Sequence, residues 1–472
     1  MVFSAAFPFF NNVDEQMHFD LLVKYSEGHV PRAMEGVSTN ATPYVVVYSS
    51  REYLWASNTF PIEQFPPPWT RPIEETAPKL LAWQAAWNRV INHESSQPPL
   101  YYAFAGMAWR AGTTLGFHDG FLLYCLRFLN ALIVALLVWL GFVAARMIFP
   151  GNPFLKLGVP ALLAFLPQTT FYSITNDVLS PLCFGTAFIG LVKWQRAEVP
   201  GIRLGIGTGL ALAATFLAKI SNLPLLAVSA GAVLFKVWDL VKAGKLRAAG
   251  PAMASLALCA GLPMLAWMAW CKYYFGDLTG AGANAHFFGM TIKPFSEWWH
   301  HPIFTPPGLW TFISELAATF WQGEILWHRM PLALPLVNWV YIISSLGLIL
   351  VALVALVPRF KQTSGWQRQA LGLSFLNVAS AVAFLGFLSV FFDFHDNFHP
   401  SREHPYFSLG RLMLGALIPF LLLYLYGLDR VLNRLGLRAK FLVLALLVLF
   451  MLVSEIATDW PVFFSQYNWF YM

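Results

Sequence analysis

Ten apolar runs dominate the chain, at roughly 121–148, 155–171, 178–196, 204–218, 222–241, 250–272, 333–357, 370–392, 411–429 and 440–458. Each is long enough to span a bilayer or nearly so, which predicts membrane helices. Between them the pattern changes. Residues 1–120 are broken by proline and charge, with a polar middle from Ser38 to Glu52 and a turn at Pro66, Pro67 and Pro68. From Glu74 to Asn92, residues Leu80, Leu81, Trp83, Ala86, Trp87, Val90 and Ile91 share one side, the pattern of an amphipathic helix lying in the membrane interface. The segment Lys272–Met330 carries Trp298, Trp299, Trp310, Trp321 and Trp327, a density that marks headgroup-level helices. The expected fold is therefore an all-α polytopic membrane protein of about ten transmembrane helices, or eleven if residues 1–10 are the tail of a longer first helix. Its parts are a first outer loop with interfacial helices (1–120), a transmembrane core (121–271), an outer Trp-rich loop (272–332), and C-terminal transmembrane helices (333–472) with an outer loop at 391–411.

Charge gives these runs an orientation. Alternate short links hold Arg146, Lys156, Lys193, Arg196, Arg203, Lys236, Lys242, Lys245, Arg247, Arg359, Lys361, Arg368, Arg430, Arg434, Arg438 and Lys440, against only Glu198, Asp239 and Asp429. By the positive-inside rule that side is cytoplasmic. The same parity makes the apolar run from Pro99 to Phe117 interfacial or partly inserted, since a span there would turn the basic links outward. All 11 histidines and the remaining acids fall on the other side, which is where function is expected. The net charge of +6 thus reads as a topology signal and does not point to nucleic acid.

Composition narrows the class further. With 57% hydrophobic and 11% charged residues the chain lies outside the range of soluble globular proteins. Cys125, Cys183, Cys259 and Cys271 all sit in or at the ends of expected spans, so no disulfide framework is indicated. No cleavable signal peptide is visible, and Met1–Phe10 is too short to span. No internal repeat stands out, which weakens a secondary-transporter reading.

The densest chemistry is N-V-D-E-Q-M-H-F-D, residues 12–20. On a helix Asp14 and Glu15 lie four and three residues before His18 and share its face, whereas Asp20 points elsewhere. That permits an acid–base unit or a divalent metal held by Asp14, Glu15 and His18. It equally permits a solvated helix start with Asn12 as N-cap and acids in the first turn. Asp393, His395, Asp396, His399 and His404 have zinc-like donors, but their spacing matches no metal pattern and Pro400 breaks any helix, so a solvated loop is the better reading.

Several motifs recur in an order that resembles the GT-C superfamily of membrane glycosyltransferases, in particular the protein O-mannosyltransferases, the lipid A aminoarabinose transferases and an uncharacterised bacterial branch. They are D-E-x-x-H at Asp14, Q-P-P-L-Y-Y at Gln97–Tyr102, L-R-F-L-N around Arg127 and P-Q-T-T-F-Y-S-I-T-N-D ending at Asp177. L-A-K-I-S-N-L around Lys219, A-T-F-W-Q-G-E near Trp321 and L-G-R-L-M-L at Arg411 complete the series. The resemblance implies transfer of a sugar from a polyprenyl-phosphate donor to an acceptor hydroxyl with inversion, the acceptor being an envelope lipid, glycan or protein. The enzyme would lie in the inner (cytoplasmic) membrane with its site facing the periplasm or outside. Asp14 would be the base, with Glu15 and His18 orienting it. Arg411, Lys219 and Arg127 would meet the donor phosphate. His93, Gln97, Tyr101, Asn176 and Asp177 would line the substrate pocket. Members of the superfamily place a complete spanning helix before the acidic motif, whereas here only thirteen residues precede Asp14.

Each residue also has a structural reading. Arg411 could anchor a helix end at the headgroups, Lys219 could snorkel, and Arg127, inside a span, needs a partner such as Asp14 or Asp177 or must snorkel. Asn176–Asp177 suits a tight turn on its own. Two other functions fit the same topology: a transporter or flippase of a lipid-linked or amphipathic solute, and an oligosaccharide ligase or polymerase using a pyrophosphate-linked donor.

Overall fold

The structure is a computed structural model, and it describes every residue except 12–13, 51–65, 358–363, 396, 398 and 472. Asn12, Glu52, Arg359, Lys361 and Asp396 therefore lie outside the described residues. Helices stand at all ten expected positions. Eight are long and apolar enough to cross a membrane, including Asp119–Ile148, Leu246–Tyr274 and Leu437–Phe463. The other two, Pro153–Ala164 and Ile202–Ala218, are shorter. At 1.5 Å per residue the first reaches only about 18 Å, against a hydrocarbon thickness of about 30 Å.

The shortfall has a local cause. The apolar run expected over 155–171 stops at Phe165, ahead of Pro167, and the chain continues as the 3-10 turns Thr169–Tyr172 and Asn176–Val178. Gln168, Thr169, Thr170, Ser173, Thr175, Asn176 and Asp177 are all buried. The short outer connection of the sequence reading is thus a polar strap packed inside the protein. Gln168 donates to the carbonyls of Thr319 and Phe320, and Asn130 of helix Asp119–Ile148 donates to that of Ser173, which ties the strap to its neighbours.

The first segment folds over the same end of the bundle. Helix Glu15–Ser26 packs against Leu100–Thr114 so closely that a Cβ on Gly106 would come within 2.9 Å of the Leu22 carbonyl oxygen. Leu100–Thr114 buries Tyr101, Tyr102 and Trp109 while Met107 and Leu115 face outward, as an interfacial helix should. Ile73–Trp87 buries no residue within the protein, and Ile73 and Leu81 are exposed. Two-residue strands Thr291–Ile292 and Phe392–Asp393 pair antiparallel and tie the second large connection to the third. Trp321 departs from the expected belt. It is buried, stacks on Tyr341 at 4.9 Å and donates its indole N–H to Ser345, so it belongs to the core. The four cysteines are free.

Candidate functional site

Polar residues from six stretches of the chain converge at one end of the bundle. The helix Ser180–Arg196 begins beside Asp177 and ends at Lys193 and Arg196, Leu223–Lys242 begins just after Lys219 and ends at Lys242, and the Gly410–Val431 span begins at Arg411 and ends at Arg430. The cluster therefore occupies the helix ends opposite the basic links.

Arg411 is its hub. The guanidinium lies 3.4 Å from Asp14, 3.6 Å from Asp177 and 3.3 Å from Glu324. Its Nε faces Glu324 without the alignment of a hydrogen bond, and Glu324 Oε1 is buried with no partner among the described residues. Lys219 pairs with the other oxygen of Asp177. The Arg411 headgroup is thus shared among three carboxylates at long distances, with no bidentate contact.

Asp14 sits at the start of Glu15–Ser26 as its N-cap, in the left-handed conformation at φ 62° and with no capping bond from its side chain. This strained backbone turns the Asp14 carboxylate away from the helix and toward Arg411 and His93, whose Nε2 is 3.2 Å from Oδ1. Burial alone would push the Asp14 carboxyl up. The His93 hydrogen bond and the charges of His93, Arg411 and His18 outweigh it and hold the group well below the usual carboxylate range. Burial works against the His93 cation, but the bond to Asp14 and the charges of Glu94 and Asp14 win, so its pKa is raised. Glu324 goes the other way, raised by burial despite Arg411.

Asp20 positions His93. Its carboxylate accepts from the Asn92 amide at 2.7 Å, pairs with Lys24 and caps the Ser38 N–H, which fixes the turn that carries His93. His18 is buried with Nδ1 at 2.7 Å from the Tyr102 hydroxyl, and burial lowers its pKa. Gln97 accepts from Asn176 at 3.2 Å, and Tyr101 is fully buried with its ring edge-on to Tyr102.

Two expected roles do not survive the geometry. Arg127 is fully buried and donates to both oxygens of Glu15 and to the carbonyls of Ser4, Phe7 and Pro8. Glu15 in turn also accepts from the N–H groups of Phe10 and Ile174. Every lone pair and donor of the pair is engaged, so Arg127 cannot grip a phosphate and Glu15 cannot orient Asp14. For the same reason Asp14, Glu15 and His18 do not form a metal site. Among the described residues, the group that brings three ligand atoms within 4.8 Å of one another is Asp14, His93 and Glu94. Glu94 is buried, with Oε2 lacking a partner among the described residues, so this set fits a divalent cation. In the connection over 391–411, Asp393 pairs with Arg402 and His404 meets Glu315, so these two residues are engaged with protein partners.

Glu94 and Glu324 were missed by the sequence reading. Glu94 adjoins His93, and Glu324 closes the W-Q-G-E stretch, but only long-range contacts show that they face Arg411 and Asp14.

A family model described as predicted membrane protein (DUF2142) matches residues 1–397. The chain belongs to that family. It is a multi-pass membrane protein, and Arg411 lies just beyond the matched residues. No curated protein and no solved structure matches it.

Proposed function

We propose that this protein is an inverting glycosyltransferase of the cytoplasmic membrane. In this reading it moves a sugar from a polyprenyl-phosphate donor to a hydroxyl of a cell-envelope acceptor at the outer face. The observation that carries it is the meeting of an ionised carboxylate, Asp14, with a buried guanidinium, Arg411, at 3.4 Å. They supply the two parts that such a reaction needs, a base and an anion-binding group. The opposite placement of the basic links supports an outward-facing site.

The chemistry then follows from charge. A donor phosphate entering the site competes with Asp14 for Arg411, and Lys219 adds a second positive charge nearby. Released from Arg411, Asp14 is held by His93 alone and becomes a stronger base. It takes the proton of the acceptor hydroxyl as that oxygen attacks the anomeric carbon from the face opposite the phosphate. The sugar–phosphate C–O bond breaks, and its electron pair leaves with the polyprenyl phosphate, facing Arg411. A divalent cation, if bound, would be held by Asp14, His93 and Glu94 and would supply positive charge on the acceptor side of the site.

The test is transfer of labelled sugar from a polyprenyl-phosphate donor by membranes carrying the protein. Asp14→Asn should lower transfer by about 10²–10⁴-fold, the range for a lost general base. Undiminished transfer would remove Asp14 from the mechanism. One observation favours the transporter reading instead: Glu455 and Asp459 are buried in the last span with no basic partner among the described residues. Flipping of a lipid-linked solute in proteoliposomes, unaffected by Asp14→Asn, would support that alternative.

A further inference from the structure

A second polar cavity lies behind the turn that carries Glu324. It encloses about 250 Å³ including its mouth, and its centre admits about one water-sized body. Its walls are Thr169 and Pro167 of the polar strap, Gln322 and Gly323 of the turn, Ile325 and Leu332, and one face of Leu437–Phe463 bearing Glu455, Thr458 and Asp459.

The side chains there do not satisfy one another. Glu455 and Asp459 are one helical turn apart and 4% and 3% exposed. Glu455 accepts from the Tyr172 hydroxyl, and no hydrogen bond or ion pair reaches Asp459 among the described residues. Two hydroxyls add an independent signal. Thr169 and Thr458 are 2% and 8% exposed, yet neither Oγ1 has a partner among the described residues. A helical threonine normally returns its hydroxyl to the carbonyl four residues back, and Thr458 does not. Buried polar atoms left open around a water-sized space call for a guest that accepts several oxygen ligands at once.

We propose that this cavity binds a hard divalent cation, with Ca²⁺ the best fit. The donors are all oxygen: two carboxylates and two hydroxyls, with room for water through the mouth. The two carboxylates match the charge of a divalent ion and would otherwise face each other unpaired in a poorly solvated place. Ca²⁺ tolerates irregular geometry and mixed ligands, whereas Mg²⁺ demands a near-ideal octahedron. The site is separate from Asp14, His93 and Glu94 and does not depend on the glycosyltransferase reading.

The test is ⁴⁵Ca²⁺ binding to the purified full chain in detergent or nanodiscs, beside thermal melting with Ca²⁺, Mg²⁺, Na⁺ or chelator. In a Glu94→Gln background, which removes the cation set at Asp14, His93 and Glu94, one calcium per chain should bind, and calcium should raise the melting temperature. Glu455→Gln with Asp459→Asn should abolish both effects, and should melt above its chelated parent because the carboxylate repulsion is gone. Thr458→Val, a milder change, should weaken binding at least several-fold in a chain that still folds. No calcium retained in the Glu94→Gln background, calcium retained equally when Glu455→Gln and Asp459→Asn are added, or stabilisation by Na⁺ alone would each overturn the proposal.

Discussion

Two buried arginines stand near the same end of this bundle and are held in opposite ways. Arg127 meets one carboxylate in a bidentate fork and three backbone carbonyls, while the ring of Phe9 lies 4.3 Å from its guanidinium carbon. Arg411 is spread over three carboxylates between 3.3 and 3.6 Å, with its Nε unbonded. A saturated guanidinium is part of the scaffold, because nothing can be added without breaking a bond. A guanidinium with long, divided contacts can exchange one of them for a ligand at little cost. Burial alone does not separate the two, and sequence context does not either.

The largest effect should come from breaking the saturated pair. Arg127→Ala leaves Glu15 buried without its counter-charge, and removing one partner of such a pair costs about 3–5 kcal/mol. The chain should fail to accumulate in membranes or should melt far below wild type, and Arg127→Lys should not rescue it, since an ammonium cannot fill the fork. Arg411→Lys should invert that outcome. We expect a folded protein at near-normal abundance whose transfer activity falls by about 10²–10³-fold, the scale for a lost electrostatic contact to developing charge. Should both variants lose folding to the same degree, the contrast between the arginines would be void.

A subtler test bears on how Glu324 reaches Arg411. Gly323 adopts φ 84° and ψ −162°, and a Cβ there would come within 2.1 Å of Thr169 Oγ1 and 2.5 Å of Gln168 Oε1. Gly323→Ala should cost at least about 1–3 kcal/mol in backbone strain. Activity should fall more than abundance, as judged by transfer per folded molecule. The smallest effect concerns pH. His93 has a raised pKa, so the contribution of its cation to the Asp14 pair is complete below about 6.5 and is lost as pH rises through the folded value. The depressed Asp14 contributes in the opposite sense, and its share is lost only in strong acid, as pH falls through its folded value. Transfer in wild type should decline as pH rises through the raised His93 pKa. His93→Gln, which keeps a hydrogen-bond donor near Asp14 but no titration, should flatten that decline.

Much of the fold was legible because a membrane helix is written as one contiguous apolar run. The run at 155–171 misled only where Leu166 and Phe171 continue the apolar composition through a segment that is no longer α-helical. The site was less legible. Asp14, His93, Asp177, Lys219 and Arg411 could be picked out from short motifs, and the structure brings them together. Glu15 and Arg127 were picked out by the same reasoning and form scaffold, since motif order carries no record of which charges saturate each other. Glu455 and Asp459, on the buried face of the last helix, belong to none of the motifs and were not picked out.

The short helix Pro153–Ala164 has a consequence for the lipids around it. Where it ends, about 12 Å of hydrocarbon thickness remains to be crossed, and the buried strap from Gln168 to Asp177 fills that depth with polar atoms. Because the strap lies inside the protein, lipid on this flank meets the helices that cover it and not the strap itself. In the proposed reaction, the phosphate of a long-chain carrier would reach Arg411 at the end of the bundle where the polar strap lies, while its tail stays in oil.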